Sequence, residues 1–304
     1  MGYERWSTAM NRALYGPGGF YRRERPRDHF TTSARHPAFA EALARLVTAA
    51  FDRLGRPEDF TVVDVGADTG DLLARLSGLE HWRLVGVDLR PRPEGLPERI
   101  VWRPEPPERF TGVLLACELL DNVPCDVAVV AGGERRYEAV NPEGATRPGA
   151  RLDAADEAWL DRWWPIREDG ERAEIGRPRD DAWRALTARL VRGTALAVDY
   201  GHTRSARPEG GTMTGFRNGR AMAPVPDGSM DLTAHVAVDA IECDHRERQS
   251  EALRALGLTT ARPALTQAYE DPAGYAAALA RASAAATLTD NTGLGAHWWL
   301  RTDR

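Results

Sequence analysis

The residues in this chain with the clearest chemistry are two glycines and two aspartates. Gly66 and Gly70 stand four positions apart directly after the apolar run Thr61–Val65, and residues 71–79 then read as a helix. Asp64 precedes the glycines, and Asp88 follows it by 24 positions at the end of a second apolar run, residues 82–87. In a parallel sheet such a turn lets the backbone approach a nucleoside, and the acid closing the next strand meets its ribose hydroxyls. The spacing predicts a nucleoside-containing cofactor.

The glycine positions also say which cofactor fits poorly. The dinucleotide fingerprint GxGxxG needs glycine at 66, 68 and 71, and this chain has Asp68 and Asp71. A carboxylate in the turn repels a phosphate at the helix N-terminus but is compatible with a cofactor carrying ammonium and sulfonium charges. A nucleotide-dependent oxidoreductase is therefore a distant alternative.

The elements that must position these residues form an ordered plan. Strands are expected at Thr61–Val65, Arg83–Val87, 100–102, 112–117 and 194–200, each apolar enough to be buried between helix layers. The fold class is α/β, a Rossmann-like, mostly parallel, doubly wound sheet. Residues 1–59 read as a mainly helical segment, with helices at 5–14 and 37–54 around a GPGG turn at 16–19. Residues 127–190 are too long for one crossover helix and hold a hairpin signal, VAVV, AGGE, RRYEAV, so they are expected to form an inserted cap over the acceptor site. Within that insert Trp159, Trp163 and Trp164 form either a substrate wall or ordinary packing. The cofactor-binding domain is then 60–126 with 191–304. Residues 250–304 offer helix, strand, helix and strand, which would close the sheet with an antiparallel strand pair.

Composition sets outer limits. The 304 residues are 42% hydrophobic, enough for one large core or a core with a smaller subdomain. The net charge of −5 gives no global basic field for nucleic acid or anionic lipid, so neither is expected as a partner. All 40 basic residues are arginine, which excludes Schiff-base lysine chemistry and a P-loop. Cys117, Cys125 and Cys243 lack disulfide or zinc spacing, and the seven histidines form no HExxH, so no metal is expected and the setting is a reducing cytoplasm. No signal-peptide h-region or run of about 18 apolar residues is present.

Six strings carry a more specific resemblance. ALYGPGGFY (13–21), FTTS (30–33), DVGADTG (64–70), CELLDNVP (117–124), VDYGH (198–202) and DLTAHV (231–236) occur in this order. Together they resemble the MidA-type family of class I S-adenosylmethionine (SAM) methyltransferases, which includes a mitochondrial assembly factor for respiratory complex I. The chain departs from the family pattern at Cys117, where asparagine is usual, at Asp68, where a third glycine is usual, and at Asp28-His29-Phe30, where Gly-Asp-Phe is usual.

The resemblance implies SAM as cofactor, bound through Gly66, Gly70 and Asp88, with Thr32, Asp64, Ala67, Leu89 and Glu118 completing the set. It implies a protein arginine as methyl acceptor, as for the mitochondrial member; a small molecule or peptide stays open. Methyl transfer is an in-line displacement that depends mainly on alignment and water exclusion. If the acceptor is a guanidinium or amine, a carboxylate must orient it and take its proton, and Glu118 just beyond the fourth strand is best placed. Asp121 shares that role or serves as a helix N-terminal carboxylate. Asp199 and Tyr200, ending the fifth strand, line the acceptor pocket, or Tyr200 is a packed aromatic. His235 is a general base or a structural hydrogen-bonding group. Thr31, Thr32 and Ser33 form a loop over the methionine end of the cofactor or a helix N-cap. The alternative from another class is a noncatalytic assembly or scaffold protein that keeps the fold; a homodimer is compatible with either.

Overall fold

The computed structural model describes residues 2–24, 32–78 and 82–304. The central sheet contains β1 (Thr61–Val65), β2 (Arg83–Val87), β3 (Ile100–Arg103), β4 (Phe110–Cys117), β5 (Leu190–Asp199), β6 (His245–Arg248) and β7 (Trp298–Asp303). Their spatial order is β6-β7-β5-β4-β1-β2-β3. Strands β3, β2, β1, β4 and β5 run parallel, and β7 runs antiparallel to both β5 and β6. The sheet is thus mixed. The chain leaves β1 toward β2 on one side and returns through β4 on the other, which opens a crevice at the carboxyl ends of β1 and β4.

Both faces of the sheet are covered, which is why its strands read as unbroken apolar runs. Val62, Leu84, Val113, Leu115 and Leu196 face helices α1 (Pro37–Arg53), α2 (Asp71–Leu76) and α3 (Gln249–Ala255), with Phe39, Leu43, Leu73 and Leu253 filling the layer. Val63, Val85, Leu114, Ala195 and Leu300 face the other way, against Val236, Val238 and Ile241 and against Trp183 of the helix Arg177–Thr187. Each such side chain, fully buried, contributes roughly 1.5–3 kcal/mol relative to exposure.

The C-terminal part differs from the expectation in one respect. The penultimate strand, β6, lies before residue 250, and only helices and turns separate α3 from β7. β6 reads His-Arg-Glu-Arg and sits at the sheet edge, where charged side chains face water and block further pairing, so it carries no apolar signature. Leu79, the expected end of α2, and Thr31 lie outside the described residues.

Residues 127–190 build a second sheet from Val127–Ala131, Glu134–Val140, Thr146–Arg151 and Arg172–Glu174, joined by Glu4–Arg5. Gly132 and Gly133, both left-handed at φ 61° and 73°, make the two-residue turn between the first two strands, which AGGE predicts. Trp159 and Trp164 pack inside this unit against Val130 and Tyr137. They are core residues, not a substrate wall. Near the N-terminus, the helix Trp6–Tyr15 buries Trp6, Met10 and Leu14 against Val127, Val140 and Leu232, and the Trp6 indole donates to Glu138 Oε2 at 2.8 Å. This packing delivers Tyr15 and Tyr21 to the crevice. No helix among the described residues is long and apolar enough to cross a membrane.

Candidate active site

A cavity of about 900 Å³ opens at the carboxyl ends of β1, β2, β4 and β5. Thr32, Asp64, Gly66, Ala67, Asp88, Leu89, Glu118, Asp121, Tyr200 and His235 all line it. Sequence positions up to 203 residues apart therefore converge on one space. Two predicted residues, Gly70 and Asp199, stand behind the wall instead. None of the lining residues comes from 127–190, because the apolar surface of that segment is consumed by its own core. The cavity walls expected from an inserted cap come instead from the N-terminal segment and from residues 214–235.

The end beside β1 and β2 is built around the glycine turn. Gly66 and Gly70 are left-handed at φ 76° and 73°, which glycine adopts without a Cβ penalty. A Cβ on Gly66 would meet Leu119 Cδ1 at 3.2 Å, and one on Gly70 would meet Leu96 Cδ1 at 2.7 Å and the Trp102 ring at 3.3 Å. Gly70 thus serves as a tight packing point ahead of α2. The amides of Gly66 and Ala67 donate to Val87 O at 2.9 and 3.1 Å, which ties the turn to the end of β2. Asp68 is itself left-handed at φ 48° and donates its amide to Asp88 Oδ2 at 2.9 Å. Leu89 is 49% exposed, an apolar surface on the cavity wall. Below the turn Asp64 is buried, and burial, with the charges of Asp88 and Asp68, pushes its pKa up to about 7. The neighbouring Cys117 thiol is raised well above its ordinary value by burial and by Asp64, Glu118 and Asp199, so it stays a neutral thiol.

The other end is a cluster of carboxyls held by polar donors. Glu118 follows β4 in a left-handed conformation at φ 51°, its amide donating to Val198 O at 2.7 Å. Its Oε1 accepts the Ser33 amide at 3.2 Å. Burial, then the charge of Asp121, pushes the Glu118 pKa up to about 8 against the pull of that amide. Asp121 Oδ2 accepts the hydroxyls of Thr233, at 2.6 Å, and Tyr200. Its Oδ1 is buried without a hydrogen-bond partner among the described residues. Burial raises the Asp121 pKa, opposed by Thr233, Tyr200 and the Arg179 guanidinium.

Asp199 is 1% exposed and organises this cluster from below. Its Oδ2 accepts the amides of Leu120 and Asp121 at 2.9 and 3.2 Å, and its Oδ1 accepts the amide of Tyr200 at 2.9 Å. Its side chain turns into the loop after β4, where those amides need an acceptor, and does not reach the cavity wall. Burial and the Asp121 charge hold it well above the usual carboxylate range.

Further residues that the sequence does not single out complete this end, among them Tyr15, Tyr21, Asn122 and Asp231. Tyr15 and Tyr21 stack with ring centroids 5.6 Å apart. The Tyr21 hydroxyl and the Asn122 amide donate to Asp231 Oδ1 at 2.9 and 3.0 Å, and the Tyr15 hydroxyl donates to Asn122 O at 2.9 Å. Burial and the Asp121 charge push Asp231 up to about 7. The two tyrosines flank the GPGG turn, and Asn122 and Asp231 belong to CELLDNVP and DLTAHV. Position in those strings was the available signal. His235 lies on the cavity wall, its ring 5.1 Å from that of Tyr200, and His297 lies 5.6 Å from the same ring. Enclosure by protein lowers the pKa of His235, and that of His297 to about 4, so both are neutral near pH 7.

The two ends have complementary chemistry. The turn, Asp88 and Leu89 offer a backbone cradle, a diol acceptor and an apolar shelf to a nucleoside. The carboxyls with aromatic walls favour positive charge, since a cation both repays their burial and stacks on the rings.

Comparison with known proteins agrees with a nucleoside-containing cofactor. The model of a family described as "Putative S-adenosyl-L-methionine-dependent methyltransferase" matches residues 79–259, more than half of the 304-residue chain. A COG1565 superfamily member from Burkholderia thailandensis, solved with S-adenosyl-homocysteine bound, is 26% identical with a TM-score of 0.83, over 100% of this chain and 88% of that one. A native structure of a COG1565 superfamily protein from the same organism gives the same values: 26% identity, a TM-score of 0.83 and coverage of 100% and 88%. No curated protein matches the chain. With its glycine turn, its acid at the end of β2 and this match, the chain belongs to that family of S-adenosyl-L-methionine-dependent methyltransferases.

Proposed function

We propose that this methyltransferase acts on a cationic nitrogen, with a protein arginine side chain as the acceptor, as the resemblance implies for the mitochondrial member of the MidA-type family. One observation carries the reading: Asp121, whose buried Oδ1 has no hydrogen-bond partner among the described residues, lines the same cavity as Glu118 and Asp231. A guanidinium presents several N–H donors in a planar fork, matched to such a set of acceptors.

When bound, SAM supplies an electrophilic methyl group on a sulfonium. In this reading Asp88 accepts the ribose hydroxyls, Gly66 and Ala67 shape the turn beneath them, and Leu89 packs on the base. Asp64 sits below with its charge available to a cation. Thr32 closes over the amino-acid end. Glu118 and Asp121 orient the acceptor nitrogen toward the methyl carbon, a proximity effect more than a covalent one. The proton released from the methylated nitrogen passes to the Asp121 carboxylate, held in place by Tyr200 and Thr233 on Oδ2. His235, neutral near pH 7, is the second base within the site. Residues 127–190 serve as a subdomain that buttresses the N-terminal helix. The unpaired Cys117, Cys125 and Cys243 favour a cytoplasmic setting.

The test is to incubate the purified chain with methyl-labelled SAM and arginine-containing peptides, alongside a bacterial lysate, and to locate label by mass spectrometry. Label on arginine nitrogen that disappears with Asp121→Asn supports the reading. Label on a small molecule or another side chain refutes the arginine assignment, and saturable SAM binding with no labelled acceptor favours a scaffold that keeps the fold.

A further inference from the structure

The carboxylate at the end of β2 is already fully engaged by protein donors, and one residue supplies three of them. Asp88 Oδ1 accepts the Arg90 amide at 2.9 Å and Arg90 Nε at 3.2 Å; Oδ2 accepts the Asp68 amide at 2.9 Å and Arg90 Nη2 at 3.3 Å. A carboxylate offers about four lone-pair positions, so no acceptor position is left over. The same Arg90 Nη2 donates to Asp68 Oδ1 at 2.6 Å, closer than to Asp88. Asp68 stands in a left-handed conformation that glycine would adopt more cheaply. Its carboxylate thus gives the Arg90 guanidinium a second place to rest.

The backbone beneath this pair is fixed. The Trp102 indole donates to Arg90 O at 2.9 Å, and the Arg90 and Asp68 amides both stay on Asp88. Only the guanidinium is free to exchange partners, and its side chain and those of Asp88 and Asp68 are 16%, 10% and 26% exposed. We propose that Arg90 is a latch on the ribose-binding carboxylate: its guanidinium competes with the ribose hydroxyls for Asp88 and is received by Asp68 when the cofactor enters. Arg90 and Asp68 together set cofactor affinity, Arg90 lowering it and Asp68 limiting the loss. An internal competitor reduces apparent affinity by the fraction of molecules in which it is closed.

This inference rests on the ribose lying at Asp88, and its test separates the two. S-adenosylhomocysteine and its 2′,3′-dideoxy analogue are titrated calorimetrically into the full chain and into Arg90→Gln, Arg90→Lys, Asp68→Asn, Arg90→Gln/Asp68→Asn and Asp88→Asn. Arg90→Gln is expected to bind S-adenosylhomocysteine several-fold more tightly with no change for the dideoxy analogue, which does not compete for Asp88. Arg90→Lys, which keeps the charge without the fork, gives a smaller change of the same sign. Asp68→Asn weakens S-adenosylhomocysteine binding, and that loss vanishes in the double variant. Weaker or unchanged binding by both Arg90 variants, or an equal gain for the two ligands, overturns the latch. Unchanged S-adenosylhomocysteine affinity in Asp88→Asn overturns the ribose placement and the latch with it.

Discussion

Tyr200 and Asp121 meet across the ends of neighbouring strands, the tyrosine hydroxyl donating to the same carboxylate oxygen, Oδ2, that Thr233 reaches at 2.6 Å. Two hydroxyls on one oxygen fix the carboxylate, and the other oxygen is buried without a hydrogen-bond partner among the described residues. Asp199 holds the amides of Leu120 and Asp121 from below, so the backbone of this loop is fixed as well. In the proposed function this arrangement orients the base before its substrate arrives.

Asp121→Asn removes the proton acceptor and keeps the shape. Methyl transfer is expected to fall by about 10²–10⁴-fold, the range for loss of a positioned general base. Tyr200→Phe removes one hydrogen bond, of about 0.5–1.5 kcal/mol, and should lower kcat by up to about tenfold. S-adenosylhomocysteine affinity, read by calorimetry, stays within a few-fold of wild type in both. Equal losses in turnover and in S-adenosylhomocysteine affinity would mean that Asp121 is structural.

The buried carboxyls make stability depend on pH in a stated direction. Glu118 moves from an ordinary 4.5 in the unfolded chain to about 8 in the fold, so between these values the folded state holds a proton that the unfolded state has lost. Stability then falls as pH rises, until both states are ionised above about 8. Asp64 and Asp231, raised from 3.8 to about 7, act in the same sense over a lower window. His202 and His297, lowered from 6.5 to about 3 and about 4, act oppositely, costing stability as pH falls below 6.5. The window from about 6.5 to 8 therefore isolates the carboxyls. The melting temperature is expected to drop across it by a few degrees, one proton being about 1.4 kcal/mol per pH unit. Glu118→Gln should flatten that slope; a melting temperature that rises with pH over the window contradicts the assignment.

Gly66 is the glycine of the turn that lines the cavity itself, and it tolerates a side chain poorly. Its left-handed φ of 76° costs any other residue roughly 1–2 kcal/mol, and a Cβ would press on Leu119 at 3.2 Å. Gly66→Val should abolish S-adenosylhomocysteine binding while the far-ultraviolet circular dichroism of the chain is kept, because the strain is confined to one turn. Retained binding would move the cofactor away from this turn.

The sequence made the cofactor end legible because its signals are local. β1 and β2 are apolar on both faces, the glycines interrupt them, and Asp88 closes the unit within 24 residues of Asp64. β6 was not legible, since an edge strand of four polar residues has neither an apolar run nor alternation. The acceptor end was legible only in part. Glu118 and Asp121 announce themselves as acids beyond a buried strand, but Tyr21 and Asp231 meet across 210 residues and only their places beside the GPGG turn and in DLTAHV mark them. Asp199 shows the remaining difficulty: a strand end fixes where a residue stands, while its side chain follows the nearest unsatisfied amides, here those of Leu120 and Asp121.

Tyr21 and Asp231 give the acceptor end its own pH signature. The tyrosine hydroxyl at 2.9 Å and the Asn122 amide at 3.0 Å pull the Asp231 pKa down against burial, which leaves it at about 7. A guanidinium acceptor needs Asp231 ionised, so kcat/KM should fall on the acid side of about 7. Tyr21→Phe deletes one of the two side-chain donors, which act beside the Leu232 amide, while keeping the stack on Tyr15, so the Asp231 pKa rises and the acid limb of the profile moves to higher pH. KM for an arginine peptide is expected to rise several-fold at pH 7 and to recover by pH 8.5, with S-adenosylhomocysteine affinity unchanged at both. Recovery at high pH is the informative part: a tyrosine that only filled space would raise KM equally at every pH. Asp231→Asn, which cannot ionise, should show the raised KM without recovery, and a profile identical to wild type in both variants would remove Asp231 from the acceptor site.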